Sequence, residues 1–171
     1  MPRRLLAVLT AAMFGLTLAV NPLSAPAAHA AVPARFGTHV RFTLSRPVND
    51  PVSSEFGMRF HPILHVWRLH EGIDFAAPCG TPVHAAAAGS VTWTGWAGGY
   101  GNRVIISHGW ERGVFLTTTY SHLSGFVVRA GRVARGRIIA YSGTTGLSTG
   151  CHLHFETRQD GEPVNPRLWF A

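Results

Sequence analysis

Lysine is absent from this 171-residue chain; all fifteen of its basic residues other than histidine are arginines. Alongside the abundance of alanine, that bias reflects genome composition more than selection and says little about function. Acidic residues are also few, eight against fifteen, which leaves a formal net charge of +7. Cysteine occurs only at Cys79 and Cys151. No apolar run reaches the roughly 20 residues that cross a bilayer, so a permanent membrane anchor is not expected. The longest, Leu5 to Val20, is followed at once by the helix breakers Pro22 and Pro26. Nor is there a long amphipathic helix: Ala85 to Ala88, the one stretch of strong helix propensity, is a single turn that stops at Gly89. The length suits one domain with a real core and not two, and no repeat or linker marks a second module.

What is present begins with a short basic start, Arg3 and Arg4, ahead of the apolar run, and small residues Ala28 and Ala30 on either side of His29. This is the pattern of a signal peptide over residues 1–30, with the mature chain starting near Ala31. The residues around the paired arginines match a twin-arginine signal poorly, so ordinary secretion is expected. Loss of the signal leaves thirteen arginines against eight acids, +5, so the mature chain stays basic. A basic surface attracts polyanions of any kind, and export makes a cell-envelope polymer a better partner than nucleic acid. Outside the cytoplasm two cysteines can stay paired, which predicts one disulfide.

Residues 31–50 are punctuated by proline and read as a lead-in segment. From Pro51 the chain breaks into short β-leaning runs separated by glycine and proline: GIDFAA, SVTWTG, RVIISH, VFLTTTY, RIIAYS and HLHFETR. That spacing predicts an all-β domain over residues 51–171. Between two of the runs, GWAGGYGN (Gly95 to Asn102) has the composition of a hairpin loop.

Two of these runs carry chemistry. In HEGIDF, Gly72, Ile73, Phe75 and Pro78 beyond it are poor helix material, so the segment reads as a strand with His70 and Asp74 on one face. In HLHF, His152 and His154 share a face while Leu153 and Phe155 turn to the core. Imidazoles with a carboxylate suit Zn2+ and leave a coordination position for water, as catalytic sites do. His122, at the end of TTYSH, carries little weight alone. His39, His61, His65, His84 and His108 read as ordinary surface or core histidines.

Taken together, SSEFGMRFHPI, HEGIDFAAPCGTPV, GGYGNRVIISHG, TYSHL and STGCHLHFE occur in the order found in lysostaphin-type zinc metallopeptidases, which the chain resembles from about Pro51 to Pro166. The resemblance implies an antiparallel β domain with a groove-shaped site. It implies an endopeptidase that cuts peptide stems or cross-bridges of bacterial peptidoglycan, acting after secretion, with one zinc and as a monomer. It assigns the metal to His70, Asp74 and His154 and catalysis to His122 and His152. Acid should weaken metal binding, because ligand histidines must be neutral. The chain departs from the commoner pattern at Cys79 and Cys151 and in the arginine-rich stretch with Arg129, Arg132, Arg135 and Arg137, which reads first as a solvated loop and strand edge and only second as a wall-binding patch. The rival readings are a catalytically silent wall-binding or regulatory domain of the same fold, a cell-wall carboxypeptidase, and a β domain with incidental histidines.

Overall fold

The computed structural model describes residues 42–171; the expected signal peptide and the lead-in as far as Arg41 lie outside the described residues. Thirteen short strands follow one another: β1 (Val52–Ser54), β2 (Gly57–Phe60), β3 (Trp67–His70), β4 (Ile73–Phe75), β5 (Pro82–His84), β6 (Gly89–Trp96), β7 (Asn102–Glu111), β8 (Val114–Leu123), β9 (Gly125–Phe126), β10 (Gly131–Val133), β11 (Ile138–Tyr141), β12 (Leu153–Gln159) and β13 (Glu162–Val164). Among the described residues the only helices are two single 3-10 turns, Gly98–Tyr100 and Pro166–Leu168. The all-β expectation is met, and all the strand pairings are antiparallel.

An eight-stranded sheet runs in the order β1-β4-β12-β8-β7-β6-β10, with β13 beside β12. A three-stranded sheet, β5-β11-β9, and a two-stranded hairpin, β2-β3, complete the fold. Alternation along the central strands sorts their side chains. Ile73, Phe75, Val104, Ile106, Tyr120 and Phe155 are buried in the core with Val83, Ile139 and Ala140 of the smaller sheet. Asp74, Thr119, His154 and Glu156, at intervening positions, belong to the opposite face. Leu44 and Val48, which the sequence reading assigns to the lead-in, are buried in the same core, and Leu44 forms a parallel bridge with Phe170.

One local expectation is corrected. The sequence reading takes HEGIDF as one strand, but in a continuous strand residues four apart would be separated by about 13 Å. The chain instead breaks at Glu71 and Gly72: β3 belongs to the hairpin and β4 to the large sheet. The break brings His70 and Asp74 into contact. Glycine is needed there because a Cβ on Gly72 would run into the Phe155 carbonyl of β12. Gly72→Ala is expected to cost about 1–3 kcal/mol as an overpacking change, measurable as a lower denaturant midpoint. An unchanged midpoint would mean that β12 yields without penalty.

Cys79 and Cys151 are joined in a disulfide across 72 residues of sequence. It ties the loop after β4 to the loop before β12. In the chain-entropy account, closing a loop of that length stabilises the fold by roughly 4 kcal/mol. Replacing both cysteines with serine is expected to lower stability by about 2–4 kcal/mol, so that the wild type loses its advantage over the variant when urea titrations are repeated under reduction. Equal midpoints before reduction would refute this.

Candidate metal centre

His70 ends β3, Asp74 is the middle residue of β4, and His154 lies opposite Asp74 in the β4-β12 register. Their polar atoms converge: His70 Nε2 is 3.1 Å from Asp74 Oδ1 and 3.0 Å from His154 Nδ1, and His154 Nδ1 is 2.8 Å from Asp74 Oδ1. All three residues are buried. The remaining ring nitrogens fix the tautomers. His70 Nδ1 lies 2.7 Å from the Glu55 carbonyl oxygen, and His154 Nε2 lies 3.1 Å from Glu156 Oε1, so each nitrogen donates outward. The inward-facing Nε2 of His70 and Nδ1 of His154 are left as lone-pair atoms, facing each other and a carboxylate oxygen.

Three acceptors packed at this distance repel one another unless a cation lies among them. Tetrahedral zinc with nitrogen ligands near 2.0–2.1 Å spaces its donor atoms about 3.3 Å apart, close to the separations seen here. The donor set therefore fits a divalent metal of the zinc type, and the outward hydrogen bonds to a carbonyl and a carboxylate are the supports that metal-binding histidines require. Electrostatics agree. Burial opposes the charge on Asp74, but the close approach of the His154 and His70 rings outweighs it and holds the carboxyl well below the usual range. For His154, burial likewise opposes charge, yet the contacts with Asp74 and Glu156 raise its pKa.

Around the trio runs a second ring of charge. Glu156 is fully buried and is engaged by Arg103 at 2.6 Å and Arg158 at 2.6 Å. Burial works against its ionisation, and His154 together with Arg103 pulls its pKa down to about 2. Arg158 also reaches Glu71 Oε2 at 3.2 Å, Tyr100 donates to that oxygen at 3.0 Å, and the Arg103 guanidinium lies 4.0 Å from the centre of the Tyr100 ring. The sequence reading does not single out Glu156, although its position, two residues beyond His154 in HLHFE, gives it the same strand parity. Glu55, Arg59, Tyr100 and Arg103 carry no such local signal, because the topology alone brings them in.

His122 and His152 stand beside the trio, their rings 4.5 Å apart. His122, next to last in β8, has φ 62°, a left-handed conformation that is costly for a residue with a side chain, and its Nδ1 donates to the Thr145 carbonyl at 2.8 Å. Burial lowers its pKa to about 4, so the ring is neutral at pH 7, with Nε2 as its acceptor. His152 Nδ1 donates to the Gly150 carbonyl at 2.8 Å, and its Nε2 is 3.9 Å from Asp74 Oδ1. All five residues singled out by the resemblance thus line one groove of about 610 Å³. His65 and His84 lie outside it, His108 bridges the Ala88 carbonyl and Thr118 on another surface, and His39 lies outside the described residues. His61 does line the groove, where its Nδ1 accepts the backbone N–H groups of Ile63 and Leu64.

Known proteins resemble the chain over the region that carries this cluster. The DD-carboxypeptidase/endopeptidase Mpg of Neisseria meningitidis serogroup B is 54% identical over 125 residues, 73% of this chain and 28% of that protein. The peptidoglycan DD-endopeptidase ShyA of Vibrio cholerae is 43% identical over 116 residues, 67% of this chain and 26% of that protein. The chain thus spans little more than a quarter of the length of these relatives. Among solved structures, a zinc-containing peptidase from Vibrio cholerae superposes with a TM-score of 0.66 at 36% identity, covering 74% of this chain and 39% of that one. The catalytic domain of lysostaphin from Staphylococcus simulans gives 0.60 at 32% identity, covering 70% and 91%. The family model for peptidase family M23 matches residues 68–166, which hold the trio and both neighbouring histidines, and the chain belongs to that family.

Proposed function

We propose that the chain is a secreted zinc metalloendopeptidase that hydrolyses peptide bonds in the stems or cross-bridges of bacterial peptidoglycan. The observation that carries this reading is the convergence of two tautomerically fixed imidazoles and one carboxylate at the floor of a groove, with two further histidines beside them. His70, Asp74 and His154 would hold the metal, and residues 51–171 would form the peptidase domain behind a signal peptide of residues 1–30. When bound, zinc supplies Lewis acidity, polarising an amide carbonyl and lowering the pKa of a water toward about 7.

The chain's own residues manage the protons. His122, neutral at pH 7, is suited to accept a proton from the water that adds to the amide carbon. His152, across from it, can steady the oxygen that gains charge by donating Nε2–H when the ring is protonated. Collapse then breaks the C–N bond, giving a carboxylate and an amine that takes up the proton. The Asp74 charge is neutralised from the other side by Arg59, whose Nη2 is 3.3 Å from Oδ2. The relatives' names point to bonds between D-configured residues as the substrate. The reading as a silent wall-binding domain is not favoured, since the three proposed ligands and the two neighbouring histidines all line the one groove.

The test is metal analysis of the mature protein together with mass spectrometry of digested peptidoglycan, with His152→Ala as the control. One zinc per chain and new peptide-cleavage products absent from the control are expected. Intact peptidoglycan after treatment with zinc-loaded protein would overturn the proposal.

A further inference from the structure

Arg59 and Arg68 face each other across the β2-β3 hairpin. Side chains at directly opposed positions share one face of the ribbon, and like charges there cost stability. The same register sets Gly57 against His70 and Phe60 against Trp67. By alternation the two arginines lie on the face of His70, toward the metal centre, and the aromatic pair lies on the other. Both arginines line the groove. Arg59 reaches Asp74 Oδ2, the carboxylate oxygen not directed at the two histidines. Arg68 has no ion pair among the described residues, and the neighbouring carboxylates are taken, Glu71 by Arg158 and Glu55 by Arg167. The positive field reaches His61, whose pKa is lowered by burial and then by Arg68 and Arg59. An opposed pair of arginines with one member unpaired, at the edge of a peptide-sized groove, calls for an anion.

We propose that Arg59 and Arg68 form a carboxylate-binding subsite that reads the carboxylate carried by the leaving amino acid. This rests on the peptidase reading. In a bond between two D-configured residues, the leaving nitrogen sits on a carbon that also bears a carboxylate. That holds whether the leaving group is a terminal D-alanine or the D-centre of a cross-linking diamino acid. The carboxylate is two bonds from the scissile nitrogen, hence within about 4 Å of the carbonyl carbon under attack. A group held that close to the reaction centre lies beside Asp74, where Arg59 already is. The planar forks of two guanidiniums match a carboxylate's two oxygens, and its charge relieves the repulsion across the hairpin. One such contact would serve both activities in the name of the Neisseria relative.

The experiment uses the zinc-loaded protein and four ligands: a synthetic stem pentapeptide ending in D-alanyl-D-alanine, its C-terminal amide, and a cross-linked stem dimer with the carboxylate beside the cross-link free or amidated. Binding is measured by calorimetry and hydrolysis by mass spectrometry, for wild type, Arg68→Gln and Arg68→Lys. Wild type is expected to prefer the free acid by about tenfold or more, the scale of a charge-assisted contact. Arg68→Gln is expected to lose that preference, with KM raised and kcat nearly kept, and Arg68→Lys to recover part of it. Preference within the pentapeptide pair identifies terminal D-alanine as the source of the carboxylate, and preference within the dimer pair identifies the cross-link. An Arg68→Gln protein that binds acid and amide as wild type does, or that loses both equally, overturns the subsite. Wild type that prefers the acid yet hydrolyses no ligand overturns the peptidase reading and leaves the subsite standing.

Discussion

Alanine in place of His154 is expected to abolish metal binding and activity together. His154 contributes Nδ1 to the trio; of the polar side chains around it, Glu156 is bound to Arg103 and Arg158, Tyr100 to Glu71, and His122 and His152 are anchored through Nδ1 on the Thr145 and Gly150 carbonyls. With one of three protein ligands gone, affinity should fall by several orders of magnitude. Dialysed protein should then contain far less than one zinc per chain, where wild type is expected to contain about one. The variant also removes the hydrogen bond at Glu156 Oε1, but Arg103 and Arg158 still satisfy that carboxylate, so the fold should survive. Circular dichroism separates the two effects. Full zinc occupancy in a folded, active His154→Ala protein would sink the ligand assignment.

Alanine at His152 or His122 should give the complementary result, with zinc retained and turnover reduced by about 10²–10⁴-fold, the usual contribution of a positioned acid or base. Neither ring donates an atom to the trio; each is anchored by Nδ1 on a backbone carbonyl, Gly150 or Thr145, and offers Nε2 to the groove. Because the two act on one reaction coordinate, the double variant should be little worse than the poorer single variant. Kinetics on one defined stem peptide, with metal content measured on the same samples, tests this. Either single variant keeping more than about a tenth of wild-type kcat would remove that histidine from the mechanism.

How much of this was legible in the sequence depended on whether the information was local. The strand runs from SVTWTG to HLHFETR are alternating and short, and they form β6, β7, β8, β11 and β12. His152 and His154 could be read as neighbours because two residues in one strand stay on one side. His70 and Asp74 were paired for a reason the fold does not use: parity in a continuous strand, where the structure bends at Gly72 between two sheets. The charge belt of Glu71, Tyr100, Arg103 and Arg158 was invisible because its members come from separate strands and loops and meet only through sheet order. The same is true of Arg59, which reaches Asp74 from another sheet, and of Leu44 and Val48, whose segment lacks a period yet packs against the core.

The trio also bears on how the protein comes to be folded. His70 and His154 are 84 positions apart, and β4 and β12 are neighbours in the sheet although β5 to β11 separate them along the chain. A contact of that range costs loop-closure entropy before it returns anything, so it belongs to the late, slow part of assembly. An unfolded chain offers a metal ion only local pairs such as His70 with Asp74 or His152 with His154, each a weak bidentate chelate. Strong chelation therefore reports that the sheet is complete, and the rate at which the refolding chain takes zinc from a colorimetric indicator should follow the rate of its slowest folding phase rather than the metal concentration.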